Sequence, residues 1–148
     1  MIISYIDSSL LLSILFNETH AEEALGIWGN CPIRVSSVLL KFETNISVRR
    51  KYKSRKNNLG GDWLETKLTA LNGYFNDIFF TDINENLENS ISGYYGALSG
   101  CRSLDAIHLA AALKISEKYS KNQICICSFD NDMRNLAQQL GFKVNDSR

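Results

Sequence analysis

Pro32 is the sole proline in 148 residues, and neither a repeat nor a low-complexity tract interrupts the chain. A Pro-rich linker is thereby excluded, and the length suits one domain with one core over residues 1–148. No segment approaches the ~18 consecutive apolar residues that a membrane span needs. The apolar start, Met1 to Leu10, has no positive leading region and no small-x-small cleavage site, and it carries Asp7 in its midst. No secretory signal is expected on those grounds. Excess charge of either sign is missing too: sixteen basic residues cancel sixteen acidic ones. Affinity for an anionic partner would therefore have to come from local clustering. With 45% hydrophobic and 22% charged residues the chain is not disordered. A soluble, cytoplasmic protein with no membrane partner is expected.

Cysteine is sparse and its spacing uninformative for metals. Cys31, Cys101, Cys125 and Cys127 contain no C-x-x-C pair, and no His-rich partner completes a zinc site. Cys125 and Cys127 share one face of an apolar strand, where such a pair does not bridge easily to itself. Buried, reduced thiols are expected, in keeping with a reducing compartment.

What is present is an alternation of strands and helices. Strands are expected over residues 2–7, 33–36, 78–81, 123–128 and 142–144. The helix after the first strand is apolar nearly all round and has Ser8 as its candidate cap. A second helix spans about 20–28 and stops at Gly29-Asn30-Cys31-Pro32. A third runs from 38 to about 56, with Val38, Leu39, Phe42 and Ile46 at helical spacing. After Asn57-Asn58-Leu59-Gly60-Gly61, a fourth carries Trp63, Leu64, Leu68, Leu71 and Phe75 and should fold back on the third as a hairpin. One helix capped by Asp82 or Asn84 is expected to reach Ser99-Gly100. Ser103 starts an Ala-rich helix to Ile115, and a last helix over 132–140 ends at Gly141, a C′ position. Such alternation implies an α/β fold: a mostly parallel sheet of about five strands with helices on both faces.

Open parallel sheets bind ligands beyond the carboxyl ends of their strands. Asp7 closes the first strand and Asp130 follows the strand at 123–128, so both reach the same rim. Glu43 sits at the edge of its helix's apolar stripe. Asp105 lies in the first turn of a helix that packs closely on the sheet. Converging carboxylates repel one another unless a cation neutralises them, and a hard, oxygen-liking ion is the natural solution. Such an ion makes a nucleophile of water and steadies a leaving oxygen, which suits phosphodiester hydrolysis.

The segments that carry these acids resemble the PIN-domain family. Tyr5-Ile6-Asp7-Ser8-Ser9-Leu10-Leu11 resembles its opening strand and helix, and Phe42-Glu43 its second acidic position. Arg102-Ser103-Leu104-Asp105-Ala106-Ile107-His108-Leu109-Ala110-Ala111-Ala112-Leu113 looks very like the third and most distinctive block. Ser128-Phe129-Asp130-Asn131-Asp132-Met133, followed by Leu140-Gly141-Phe142-Lys143-Val144, resembles the fourth acid and the final elements. The blocks occur in family order over nearly the whole chain. The resemblance is closest to the VapC-like toxins of toxin–antitoxin pairs. It implies a Mg²⁺- or Mn²⁺-dependent endoribonuclease, with Asp7, Glu43, Asp105 and Asp130 as ligands. It also implies an RNA substrate, a small antitoxin partner that places a basic side chain near the acids, and a homodimer. Ser128 stands where many relatives have Thr and keeps the hydroxyl for a bond to the acids. Asp132 is a rival to Asp130, or simply favours its helix N-terminus.

Each of these residues also has a plain structural reading. Asp7 and Asp130 would serve as helix caps, Asp105 would suit the helix dipole, and Glu43 would be a surface glutamate. His108 reads as hydrogen-bonded structure rather than a general base. The run Arg49, Arg50, Lys51, Tyr52, Lys53, Ser54, Arg55, Lys56 is either a solvated helix end or an RNA-backbone clamp. Tyr52 either stacks on a base or packs in the helix hairpin, and Arg102 is a lesser phosphate contact. Trp63, Tyr74 and Tyr95 serve either an interface or the core. The rival readings are a non-catalytic PIN-like interaction module and a receiver-like domain. The latter lacks its paired acids, since Ile6 precedes Asp7, and lacks a lysine after the late strand.

Overall fold

A computed structural model describes residues 1–55 and 57–146. Five parallel strands, β1 (Ile3–Ile6), β2 (Ile33–Ser37), β3 (Phe79–Thr81), β4 (Ile124–Cys127) and β5 (Lys143–Val144), form one sheet in the order β3-β2-β1-β4-β5. The helices are α1 (Ser8–Leu15), α2 (Ala21–Gly29), α3 (Leu39–Arg55), α4 (Trp63–Phe75), α5 (Glu85–Ile91), α6 (Tyr95–Leu98), α7 (Ser103–Ile115) and α8 (Asn131–Gln139). The α/β class and the five-stranded parallel sheet agree with the sequence reading. Among the described residues, no helix is long and apolar enough to cross a membrane.

Side-chain alternation along the central strand explains the layers. Ile3 and Tyr5 face one core cluster, together with Ile124, Ile126, Leu109, Leu113 and Met133 from β4, α7 and α8. Ile6 and Cys127 face the other, together with Leu10, Leu11, Leu40, Val48 and Leu71 from α1, α3 and α4. The chain leaves β1 toward β2 and β3 on one side, then crosses to β4 and β5 on the other. Right-handed crossovers in opposite directions put α1–α4 and α5–α8 on opposite faces. The crevice opened by that reversal lies between the ends of β1 and β4.

Several local expectations need correction. Asp7, not Ser8, caps α1: its backbone is extended (φ −89°, ψ 156°) and its carboxylate accepts from the Ser9 N–H. Asn84 caps α5, but the single helix expected out to Ser99 breaks at a 3₁₀ turn, Ser92–Tyr94. Ser92, Gly93 and Gly96 are poor helix formers and explain the break. The apolar stripe read on α3 is not the buried one. Phe42 and Ile46 are 63% and 50% exposed, whereas Leu40, Thr44 and Val48 are buried. The expected end of this helix at Lys56 lies outside the described residues. All four cysteines are free, and Cys31 and Cys127 are buried, but Cys101 and Cys125 are half-buried. Gly141 has φ +94°, the left-handed conformation its place after α8 requires.

Candidate metal centre

Asp7 is the most strongly held acid. It ends β1 with its N–H bonded to the Cys127 carbonyl at 3.1 Å, and it is 3% exposed. Its Oδ2 accepts hydroxyl bonds from Ser9 and Ser128, each at 2.7 Å. Ser9 Oγ in turn accepts from the Phe129 N–H at 2.9 Å, and Ser128 Oγ from the Asp130 N–H at 3.0 Å. Two hydroxyls thus lock one carboxylate oxygen to the turn after β4, leaving Oδ1 toward the cleft. Ser128 makes the hydroxyl contact expected of it. Ser8 contributes only a long 3.5 Å contact to Glu43 Oε2. Ser9 was missed because two adjacent serines at a helix start look alike in sequence.

Glu43 comes from α3, beside the buried Leu40–Thr44–Val48 stripe. Its Oε1 lies 2.5 Å from Nε2 of His108, which is fully buried on α7. The same Nε2 is 3.9 Å from Asp7 Oδ1. His108 Nδ1 is 2.8 Å from the Tyr5 hydroxyl oxygen, which also accepts the Ser37 N–H at 3.1 Å. Burial alone would drive the imidazole pKa down. The Tyr5 oxygen, the hydrogen bond to Glu43 and the charges of Asp7 and Glu43 outweigh it and raise the pKa to about 10. His108 thus keeps its structural reading and gains a definite role, the orientation of Glu43.

Asp105, in the first turn of α7, projects into the same cleft. Burial, then the negative charges of Asp7 and Asp130, raise its carboxyl above the ordinary value against the opposing Arg102. Its Oδ2 is buried and has no hydrogen-bond partner. Asp130 caps α8, its Oδ1 accepting the Met133 N–H at 2.9 Å, while Oδ2 lies 3.0 Å from Arg102 Nη2. Asp7, Glu43, Asp105, Asp130 and Arg102 line one cleft of about 400 Å³, with Leu104 on its wall. Asp132 is exposed in the first turn of α8 and does not line it.

The donor set fits a hard divalent cation. Asp7 Oδ1, Glu43 Oε2 and the orphaned Asp105 Oδ2 are oxygens that the protein's own hydrogen bonds leave largely unspent, and oxygen donors suit Mg²⁺ or Mn²⁺. Asp7, Glu43 and His108 also offer donor atoms within 4.8 Å of one another. However, His108 Nε2 is taken by Glu43, so imidazole serves better as the support of a ligand than as one.

The basic run divides. Lys51 places its Nζ 4.1 Å from the Phe16 ring centre and does not line the cleft. Tyr52 stacks on Trp63, with ring centres 6.3 Å apart, and so packs in the hairpin. Arg49 bonds to Asn45 and lines a shallow groove with Phe42 and Ile46. Arg50, Lys53 and Arg55 are exposed. Trp63 and Tyr74 pack internally, Tyr74 edge-on against Trp28, while Tyr95 is 53% exposed.

A parallel α/β sheet with an acid-lined cleft at its switch point defines the class: an α/β domain whose carboxylates could hold a metal ion. Within that class the chain matches the PIN domain model over residues 4–139, and it belongs to the PIN domain family. PIN domains are generally nucleases that use divalent metals. No curated protein matches the chain.

Proposed function

We propose that the protein is a Mg²⁺- or Mn²⁺-dependent endoribonuclease, and that it acts as the toxin of a toxin–antitoxin pair. The observation that carries this reading is the convergence of Asp7, Glu43, Asp105 and Asp130 on one cleft, with a buried carboxylate oxygen left without a hydrogen bond. A bound divalent cation would lower the pKa of a water and draw charge from a phosphoryl oxygen. The chain's own residues do the rest. Asp7 and Asp105 anchor the ion, and Glu43 and Asp130 complete its carboxylate shell. Ser9 and Ser128 hold Asp7 so that Oδ1 is presented without reorganisation, and His108 does the same for Glu43. Arg102, at the open side, and Arg49, Arg50, Lys53 and Arg55 along α3 would contact the RNA backbone.

The substrate we infer is a structured RNA such as a tRNA or rRNA, and the setting is the cytoplasm. A small antitoxin would silence the cleft by placing a basic side chain among the acids. The exposed Phe42, Ile46 and Phe79 supply apolar surface for that partner or for a second copy of the chain.

Incubation of purified protein with tRNA and rRNA, with products resolved on denaturing gels, tests the activity. Cleavage should require Mg²⁺ or Mn²⁺, stop in EDTA, and fall to background in Asp7→Asn with circular dichroism unchanged. Cleavage by Asp7→Asn at the wild-type rate would overturn the reading. Growth arrest on expression, relieved by the product of an adjacent short gene, tests the toxin role.

A further inference from the structure

Arg102 is an odd residue for its position. It is the N-cap of α7 (φ −63°, ψ 155°), and its side chain makes no capping bond. N-caps favour Ser, Thr, Asp and Asn, and a positive charge at a helix N-terminus opposes the helix dipole. Local helix chemistry therefore gives no reason for an arginine here. Departures of this kind from local preference concentrate at functional sites.

Its guanidinium instead meets two carboxylates from different elements. Nη2 lies 3.0 Å from Asp130 Oδ2, and Nε lies 3.5 Å from Asp105 Oδ2. Those are the two oxygens the fold leaves unassigned: Asp130 gives Oδ1 to the start of α8, and Asp105 Oδ2 has no hydrogen bond. The arginine side chain is 80% exposed, against 13% for Asp105 and 24% for Asp130. Water screens such a pair, and breaking it costs little. The contact is suited to exchange rather than to holding the fold.

Resting on the metal-dependent nuclease reading, we propose that Arg102 is an exchangeable counter-ion. Without a divalent cation its guanidinium bridges Asp105 and Asp130; when a cation takes those oxygens, the guanidinium moves to a phosphate of the RNA strand. A planar fork of donors suits carboxylate and phosphate alike, so one side chain serves both partners. Arg102 already lines the cleft, so the transfer needs side-chain rotation and no movement of α7. Ion and RNA then favour each other's binding by the same factor, as linkage requires.

Calorimetric titration of Mn²⁺ into the full chain without RNA tests the first half. Arg102→Ala should bind Mn²⁺ about two- to fivefold more tightly than wild type. Arg49→Ala is the control for this titration: it removes the same charge from α3, where the guanidinium bonds to Asn45, and it should leave the Mn²⁺ affinity without RNA unchanged. Fluorescence anisotropy of a labelled oligoribonucleotide, with Ca²⁺ as the ion and the strand checked intact on a gel, tests the second half. The ion should tighten RNA binding by wild type, and Arg102→Ala, compared with its own binding in EDTA, should lose most of that gain. Equal Mn²⁺ affinity in wild type and Arg102→Ala, or an equal gain in Arg49→Ala, overturns the exchange and leaves the nuclease reading standing. An undiminished RNA gain in Arg102→Ala overturns the transfer to phosphate. Absence of Mn²⁺ binding by every form overturns both readings.

Discussion

The two ends of the acid cleft are built on opposite plans. At the closed end, hydrogen bonds of 2.5–2.8 Å join Asp7 to Ser9 and Ser128, Glu43 to His108, and His108 to Tyr5. At the open end, one Asp105 oxygen has no hydrogen bond, and both Asp105 and Asp130 face a largely exposed arginine. The closed end is preorganised by the core itself, because β1, β4 and α7 all contribute to it. The open end rests on two helix N-termini and is left adjustable. A site that must hold an ion firmly and admit a long polyanion needs one end of each kind.

Breaking the closed end should have the larger effects. His108→Leu removes the partner of the part-buried Glu43 carboxylate and should cost about 3 kcal/mol in denaturant unfolding without ions, while Arg102→Ala should leave the midpoint unchanged. Similar losses from the two variants would erase the distinction. Ser128→Ala deletes a donor to Asp7 and should weaken Mn²⁺ binding by roughly tenfold or more by calorimetry. The same change at exposed Asp132, Asp132→Ala, should have no effect.

Asp105→Asn sharpens the contrast in another way. Its carboxyl pKa is raised by burial and by its acidic neighbours, so folding disfavours the charged form. Replacement by the neutral amide should raise the ion-free Tm by about 2 °C while weakening Mn²⁺ binding. A lower Tm would mean that the contact with Arg102 outweighs burial and the neighbouring acids.

The smallest effect is on pH dependence. The folded His108 pKa is raised to about 10 from 6.5. Its stabilisation is therefore fully present below about pH 6.5 and is lost as pH rises through 10. In EDTA, unfolding free energy should decline between pH 7 and 10, and His108→Leu should flatten that slope. A wild-type stability that rises over this range would contradict the paired, protonated imidazole.

How much of this was legible in the sequence differs by element. β1, β4 and α7 were readable because each buries a continuous or strictly periodic apolar set, and the acids at their ends followed from the rule for parallel sheets. On α3 the periodicity misled. Val38, Phe42 and Ile46 form an apolar stripe, yet the buried stripe contains Thr44, whose hydroxyl donates to the Leu40 carbonyl at 2.7 Å. A polar residue satisfied within its own helix packs like an apolar one, and residue type does not reveal that. The cleft acids could be gathered from spacing and resemblance. Their supports could not: Tyr5 and His108 lie 103 residues apart, and Glu43 and His108 lie 65 apart. Contacts of that range have no local signature. Arg102 was visible only as a nearby charge, since its bridge to Asp130 depends on how α7 and α8 meet.

The most direct test of the central claim is anomalous diffraction from crystals soaked in Mn²⁺ at neutral pH. A peak is expected in the cleft at about 2.0–2.2 Å from oxygens of Asp7 and Asp105, with Arg102 turned away from Asp130. Cleavage-competent protein whose only manganese lies away from these carboxylates would contradict it.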